Sequence, residues 1–171
     1  MPPRPPFIVS SADIAEKRHR YPNSAEEMAP SRAIGRAAGL LRIGIHLVRL
    51  LPGTRTSFPH AESAEEEFVY VIDGEVDAWI DGELYRMRAG DVAAFPAGTG
   101  ICHTFINDGD RDALLLSGGE TEKAENRIYY PLHPGRRKDM PWSRWWDDVP
   151  TRPHGAHDGN PRSAESQGRQ R

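Results

Sequence analysis

Between residues 40 and 116 the chain is cut into short β-branched and aliphatic runs by turn-forming pairs, and this rhythm restricts the fold more than any other feature. In "LRIGIHLVRL" (41–50), Leu41, Ile43, Ile45 and Leu47 alternate; Pro52-Gly53 ends the run, because proline lacks a donor and glycine tolerates turn geometry. "EFVYVI" (67–72) is β-branched and aromatic and stops at Asp73-Gly74. "EVDAWI" (75–80) and "ELYRMR" (83–88) flank Asp81-Gly82, a strong signal for a two-residue hairpin. "VAAF" (92–95), "CHTFI" (102–106) and "ALLLS" (113–117) continue the series, with turns at Ala89-Gly90-Asp91 and at "NDGD" (107–110). Strands recurring every 8–12 residues predict an all-β sandwich or barrel. Helical periodicity is weak and confined to 11–19 and 24–37.

The flanks differ from this core in being rich in Pro, Arg, Gly and Ser, which divides the 171 residues into an N-terminal arm (1–39), a β core (40–120), a C-terminal arm (121–150) and a polar tail (151–171). The tail is turn-forming and is expected to be loose. The arm 127–150 carries Trp142, Trp145 and Trp146 among prolines and charges, and is expected to lie over the barrel or a partner subunit. A formal net charge of -3 gives no basic field for nucleic acid. The first residues lack an apolar signal core, and no apolar run is long enough to span a bilayer. With Cys102 as the one cysteine, the expectation is a cytoplasmic protein with neither nucleic-acid nor membrane partners.

Residues two apart on a strand share a face. Glu67, Val69 and Val71 therefore face one way, and Phe68, Tyr70 and Ile72 the other. His103 and Phe105 share a face, and His60 and Glu62 do so if the chain is extended at Ala61. A small barrel could point His60, Glu62, Glu67 and His103 into one cavity. Two imidazoles and two carboxylates suit Mn, Fe(II), Ni or Zn better than a soft metal. Periodicity alone leaves open whether the four meet.

Segment 53–107 resembles the cupin superfamily, whose motifs are written G-x5-H-x-H-x3,4-E-x6-G and G-x5-P-x-G-x2-H-x3-N. "GTRTSFPHAESAEEEFVYVIDG" follows the first from Gly53 to Gly74, and "GDVAAFPAGTGICHTFIN" the second from Gly90 to Asn107, with Pro96, Gly98, His103 and Asn107 in place. The resemblance implies a double-stranded β-helix, or jelly-roll barrel, holding a divalent ion on His60, Glu67 and His103. Three departures stand out. Six residues separate Gly53 from His60 instead of five, four separate Gly98 from His103 instead of two, and Glu62 occupies the place of the second histidine.

At that position Glu62 inherits a ligand role with different chemistry. As a fourth ligand it would neutralise a divalent ion and favour harder ones. Off the ion it would leave a set of two histidines and one carboxylate, and could serve as a catalytic general base. Glu65 and Glu66 read as solvated loop charges, His46 as a core or supporting histidine, and Cys102 as a small packed residue facing away from His103. Arg49 and Arg55 read as surface residues, "HGAH" (154–157) as a loop, and the three arm tryptophans as packing anchors. The family includes dioxygenases, isomerases and lyases. The expected function is a metal-dependent enzyme acting on a small organic molecule; the alternative is a non-catalytic ligand-binding cupin with a degenerate site. Small cupins commonly pair, and the Phe68, Tyr70, Ile72 face and the aromatic arm suggest a homodimer.

Overall fold

The structure, a computed structural model, describes residues 2–121 and 123–162. Eleven strands occur among them: β1 (Ser31–Arg32), β2 (Ile43–Leu50), β3 (Thr54–Arg55), β4 (Ala61–Glu62), β5 (Glu67–Asp73), β6 (Glu75–Ile80), β7 (Glu83–Arg88), β8 (Val92–Phe95), β9 (His103–Asn107), β10 (Ala113–Glu120) and β11 (Ile128–Tyr129). They form an antiparallel five-stranded sheet in the order β1-β2-β10-β5-β8, a four-stranded sheet β3-β9-β6-β7, and a small pair β11-β4. This is an all-β jelly roll.

Local chemistry accounts for the strand ends. Asp81 and Gly82 adopt φ of 47° and 88°, the left-handed pair that a two-residue hairpin requires, and Ile80 stands opposite Glu83. Gly74, at φ 83°, turns β5 into β6. The alternating set Ile43, Ile45 and Leu47 of β2 lies on the outer face, and Leu41 and Ile43 are exposed. Val69 and Val71, which share a face as expected, instead turn inward with Val48, Leu50 and Leu115. These five meet Val76, Ala78 and Phe105 of the opposite sheet in one core. The other face of the five-stranded sheet is also apolar. One register row runs Leu47, Leu116, Tyr70, Val92, and Tyr70, Ile72 and Val92 are exposed.

The arms depart from the sequence-based expectation. Helix is reduced to single turns at Ser11–Asp13 and Ile34–Ala37 (α1), and the intervening chain folds back in bridges between Lys17 and Ser31 and between Arg20 and Glu27. Pro22 and Pro30 interrupt helical hydrogen bonding across this segment. The C-terminal arm adds β11 beside β4, burying Trp145 and Trp146 while Trp142 stands almost free in solvent. Residues 154–159 also follow the barrel. Gly155 N–H donates to Asp81 O at 2.7 Å, His157 N–H to Gly82 O at 3.0 Å, and Trp79 Nε1 to His157 O at 2.9 Å. Backbone pairing of this kind does not depend on apolar side chains, so the polar composition gave no sign of it. The rest of the tail, 163–171, lies outside the described residues.

Arg55 is a correction of another kind. It is 1% exposed, not a surface residue. Its guanidinium donates twice to Glu26, at 2.8 and 2.6 Å, and once to Gly159 O at 2.7 Å. It also lies 4.8 Å from the centre of the Phe58 ring, which is stacked between Tyr21 and His133.

Candidate functional site

Three strands deliver the residues that meet inside the barrel. Glu67 opens β5 on the inward face shared with Val69 and Val71, and His103 opens β9. His60 precedes β4 and is bridged to His103, each backbone N–H donating to the other's carbonyl at 3.2 and 2.9 Å. The ligand atoms of His60, Glu67 and His103 all lie within 4.8 Å of one another, as a group that could hold a metal ion. Glu67 Oε2 is 3.4 Å from His60 Nε2 and 3.2 Å from His103 Nε2.

The tautomers are set from behind. His60 Nδ1 donates to Phe58 O at 2.8 Å, and His103 Nδ1 approaches Ile101 O at 3.4 Å. With Nδ1 so engaged, each ring presents its Nε2 to Glu67, the arrangement that orients metal-bound histidines. Glu67 Oε2 is buried and has no aligned hydrogen bond. Two Nε2 atoms and a carboxylate oxygen thus converge on one point, which accommodates a proton on His60 or, in its place, a metal cation.

Charge in the pocket points the same way. Burial opposes ionisation of Glu67, but the two imidazoles hold its carboxyl well below the usual carboxylate range. Burial pulls the His60 imidazolium down, yet Glu67 and Glu62 outweigh it and raise it to about 9. In His103 burial prevails and the shift is downward. The pocket therefore favours one positive charge beside Glu67.

Glu62 stands apart from this group. Its Oε1 is 3.9 Å from His60 Nε2, beyond hydrogen-bond range, and its Oε2 accepts from Asn126 Nδ2. Burial, with Glu67 adding to it against His60 and Asn126, pushes the Glu62 carboxyl up to about 7. A cavity of about 190 Å³ is lined by His60, Glu67 and His103 together with His46, Ser57 and Ser117, but not by Glu62. Phe95 covers His103, the rings 3.5 Å apart and 4° from parallel. Sequence reasoning missed Asn126 and Tyr130, whose ring lies 5.9 Å from that of His60. Both come from the C-terminal arm, and no motif spacing announces them.

A second cluster, Asp81, Cys102 and His154, also has its ligand atoms close together. There Asp81 already accepts from Cys102 N at 2.9 Å and from Arg152 Nε at 2.6 Å. Burial and Asp81 push the Cys102 thiol up to about 12. Arg152 supplies the positive charge at that carboxylate, and the cluster fastens the tail to the barrel.

A barrel of this topology with an inward histidine and glutamate set is the architecture of cupins. The family model described as "Cupin domain" matches residues 46–118. The chain is 30% identical over 111 residues to the polyketide synthase CurC of Streptomyces cyaneus, covering 65% of this chain and 67% of that protein. It is 36% identical over 95 residues to a quercetin 2,3-dioxygenase of Bacillus subtilis (strain 168), covering 55% of this chain and 26% of that enzyme. Among solved structures it is similar to a sugar phosphate isomerase of the cupin superfamily from Silicibacter pomeroyi, with 35% identity, a TM-score of 0.67, and coverage of 72% of this chain and 80% of that one. The chain belongs to the cupin superfamily.

Proposed function

We propose that this cupin is a metal-dependent enzyme acting on a small organic molecule in the barrel, with His60, Glu67 and His103 as ligands of a divalent Fe, Mn, Ni or Zn ion. The observation that carries this reading is the buried, unpartnered Glu67 Oε2 facing two imidazole Nε2 atoms whose Nδ1 atoms point at backbone carbonyls. Two histidines and one carboxylate leave coordination positions open for substrate. When bound, the ion supplies Lewis-acid polarisation of a substrate oxygen or, as Fe(II), chemistry with O2.

The chain's own residues do the rest. Phe58 O and Ile101 O fix the imidazoles, and Phe95 shields His103 from water. In this reading Glu62 is not a ligand. Held by Asn126 and with a carboxyl near 7, it keeps or releases a proton beside His60 at neutral pH. The outer row Leu47, Leu116, Tyr70 and Val92 supports a second proposal, that two copies pair through this face.

The test is anaerobic loading with Fe(II), Mn, Ni and Zn in turn, followed by dialysis and elemental analysis. One ion per chain is expected, lost in His60→Ala, Glu67→Ala and His103→Ala. Absence of a stoichiometric ion under every condition overturns the reading. Ion-dependent ligand binding without turnover across a panel of small molecules would favour the non-catalytic alternative.

A further inference from the structure

We infer that the site takes an uncharged, apolar ring compound and rejects phosphorylated ones; this rests on the metal-site reading above and narrows its substrate class. The proteins this chain is similar to are named for both a sugar phosphate and quercetin, so the discrimination has to come from its own surfaces.

A groove of about 370 Å³ opens at one end of the five-stranded sheet, where β2 and β5 begin and β8 and β10 end. Its apolar walls are Ile43, Phe68, Ala94, Phe95 and Pro96. Glu67 and Phe68 line both this groove and the barrel cavity, so the two spaces share a wall at the candidate ion position. Glu67 is also the most open of the three candidate ligands, with 32% of its side chain exposed against 13% for His60 and 7% for His103. A molecule reaching the ion therefore approaches past Glu67. Groove and cavity together suit a ligand of one or two rings, with an oxygen directed to the ion.

The charge of these walls decides what can enter. Among the described residues, Glu66, Glu67 and Glu120 are the ionisable ones of the groove, and neither Lys nor Arg lines groove or cavity. Lys123, next to the groove, is engaged by Glu120 at 2.6 Å and by Ala64 O at 2.9 Å. Binding a phosphate group calls for arginine, lysine or a cluster of aimed N–H groups. Here a phosphate would meet three carboxylates in the groove instead. Two aromatic rings and a proline offer an uncharged ring compound the contacts that charged groups forgo. Bare backbone sets the depth of the slot, for a Cβ at Gly119 would come within 2.7 Å of Glu66 O and 3.1 Å of Glu67 Cγ.

The test compares 2-naphthol with 2-naphthyl phosphate by calorimetry on Zn-loaded and on metal-free protein. Wild type is expected to bind the naphthol at least about tenfold more tightly. Ala94→Trp and Ile43→Asp, at exposed groove positions on the outer face that also carries the pairing row, should each weaken naphthol by about tenfold while Zn stoichiometry and oligomeric state stay at the wild-type values. The double variant Glu66→Gln/Glu120→Gln should narrow the preference. Equal or tighter binding of the phosphate, or naphthol binding indifferent to both groove variants, overturns the inference. Failure to take up Zn would count against the metal reading alone, since the ligand preference is read independently on metal-free protein.

Discussion

Asn126 donates its side-chain amide to Glu62 across 64 residues of chain. The amide cannot turn over, because its Oδ1 accepts Ala64 N–H at 2.9 Å and Ser63 Oγ at 3.4 Å. One glutamate oxygen is thereby committed away from the point where the Nε2 atoms of His60 and His103 meet Glu67.

Zn affinity should divide the four residues into two groups. Glu62→Ala is expected to bind Zn within about threefold of wild type, whereas His60→Ala, Glu67→Ala and His103→Ala lose at least about 100-fold, more than removal of a supporting contact costs. Competition against a chromophoric chelator measures this. A loss for Glu62→Ala as large as for His60→Ala would make Glu62 a ligand.

His133 should make stability fall on mild acidification. Burial, with Arg55 beside it, depresses its imidazolium from 6.5 to about 4. In the unfolded chain the ring protonates near 6.5, so stability is complete above that pH and is lost as pH falls from about 6.5 to about 4. The ring is partly exposed, so the full shift is discounted to roughly 1–2 kcal/mol. His133→Phe can keep the stack on Phe58. The difference between wild type and this variant in urea unfolding at pH 7 and pH 4.5 isolates the effect, and identical pH dependence would refute it.

The apolar outer row predicts an oligomer that charge disrupts. Wild type is expected to run as a dimer in light scattering. Tyr70→Glu and Leu116→Lys, placed directly opposite each other on neighbouring strands, are each expected to give monomers with an unchanged far-ultraviolet spectrum. A wild-type monomer at micromolar concentration would end this reading.

Removing the Arg55 side chain should be costly. Arg55→Ala leaves Glu26 and Gly159 O without their donor; because the Glu26 side chain is 36% exposed, the loss is expected at about 2–3 kcal/mol, below that of a fully buried pair. Arg55→Met with Glu26→Gln should recover a large part of that loss. Denaturant midpoints test the cycle, and a loss under about 1 kcal/mol for Arg55→Ala would show that the pair is solvated.

What was legible in the sequence was what is local. Asp81-Gly82 names its own turn, because few residue pairs tolerate two consecutive left-handed conformations. Alternation alone placed Glu67 inward with Val69, since a strand has no other period. The meeting of His60, Glu67 and His103 was legible only through family motifs. Asn126, Tyr130 and β11 were not legible, because the arm reaches the site by a long return of the chain and its partners are set by packing. Arg55 was misread for the same reason: an isolated arginine is ordinarily solvated, and the convergence of residues 26, 133 and 159 is what buries it. The weak helical pattern at 11–19 and 24–37 yielded to bridges with other segments, as low propensity commonly does.

Arg55 reaches residue 26 on one side and residue 159 on the other. The two ends of the described chain thus share one interior fastening, and neither is an appendage. Amide exchange at Gly155 and His157 should track global unfolding of the barrel more closely than terminal fraying. A truncation before Gly159 would not simply shorten the protein; it would strip a partner from a buried cation.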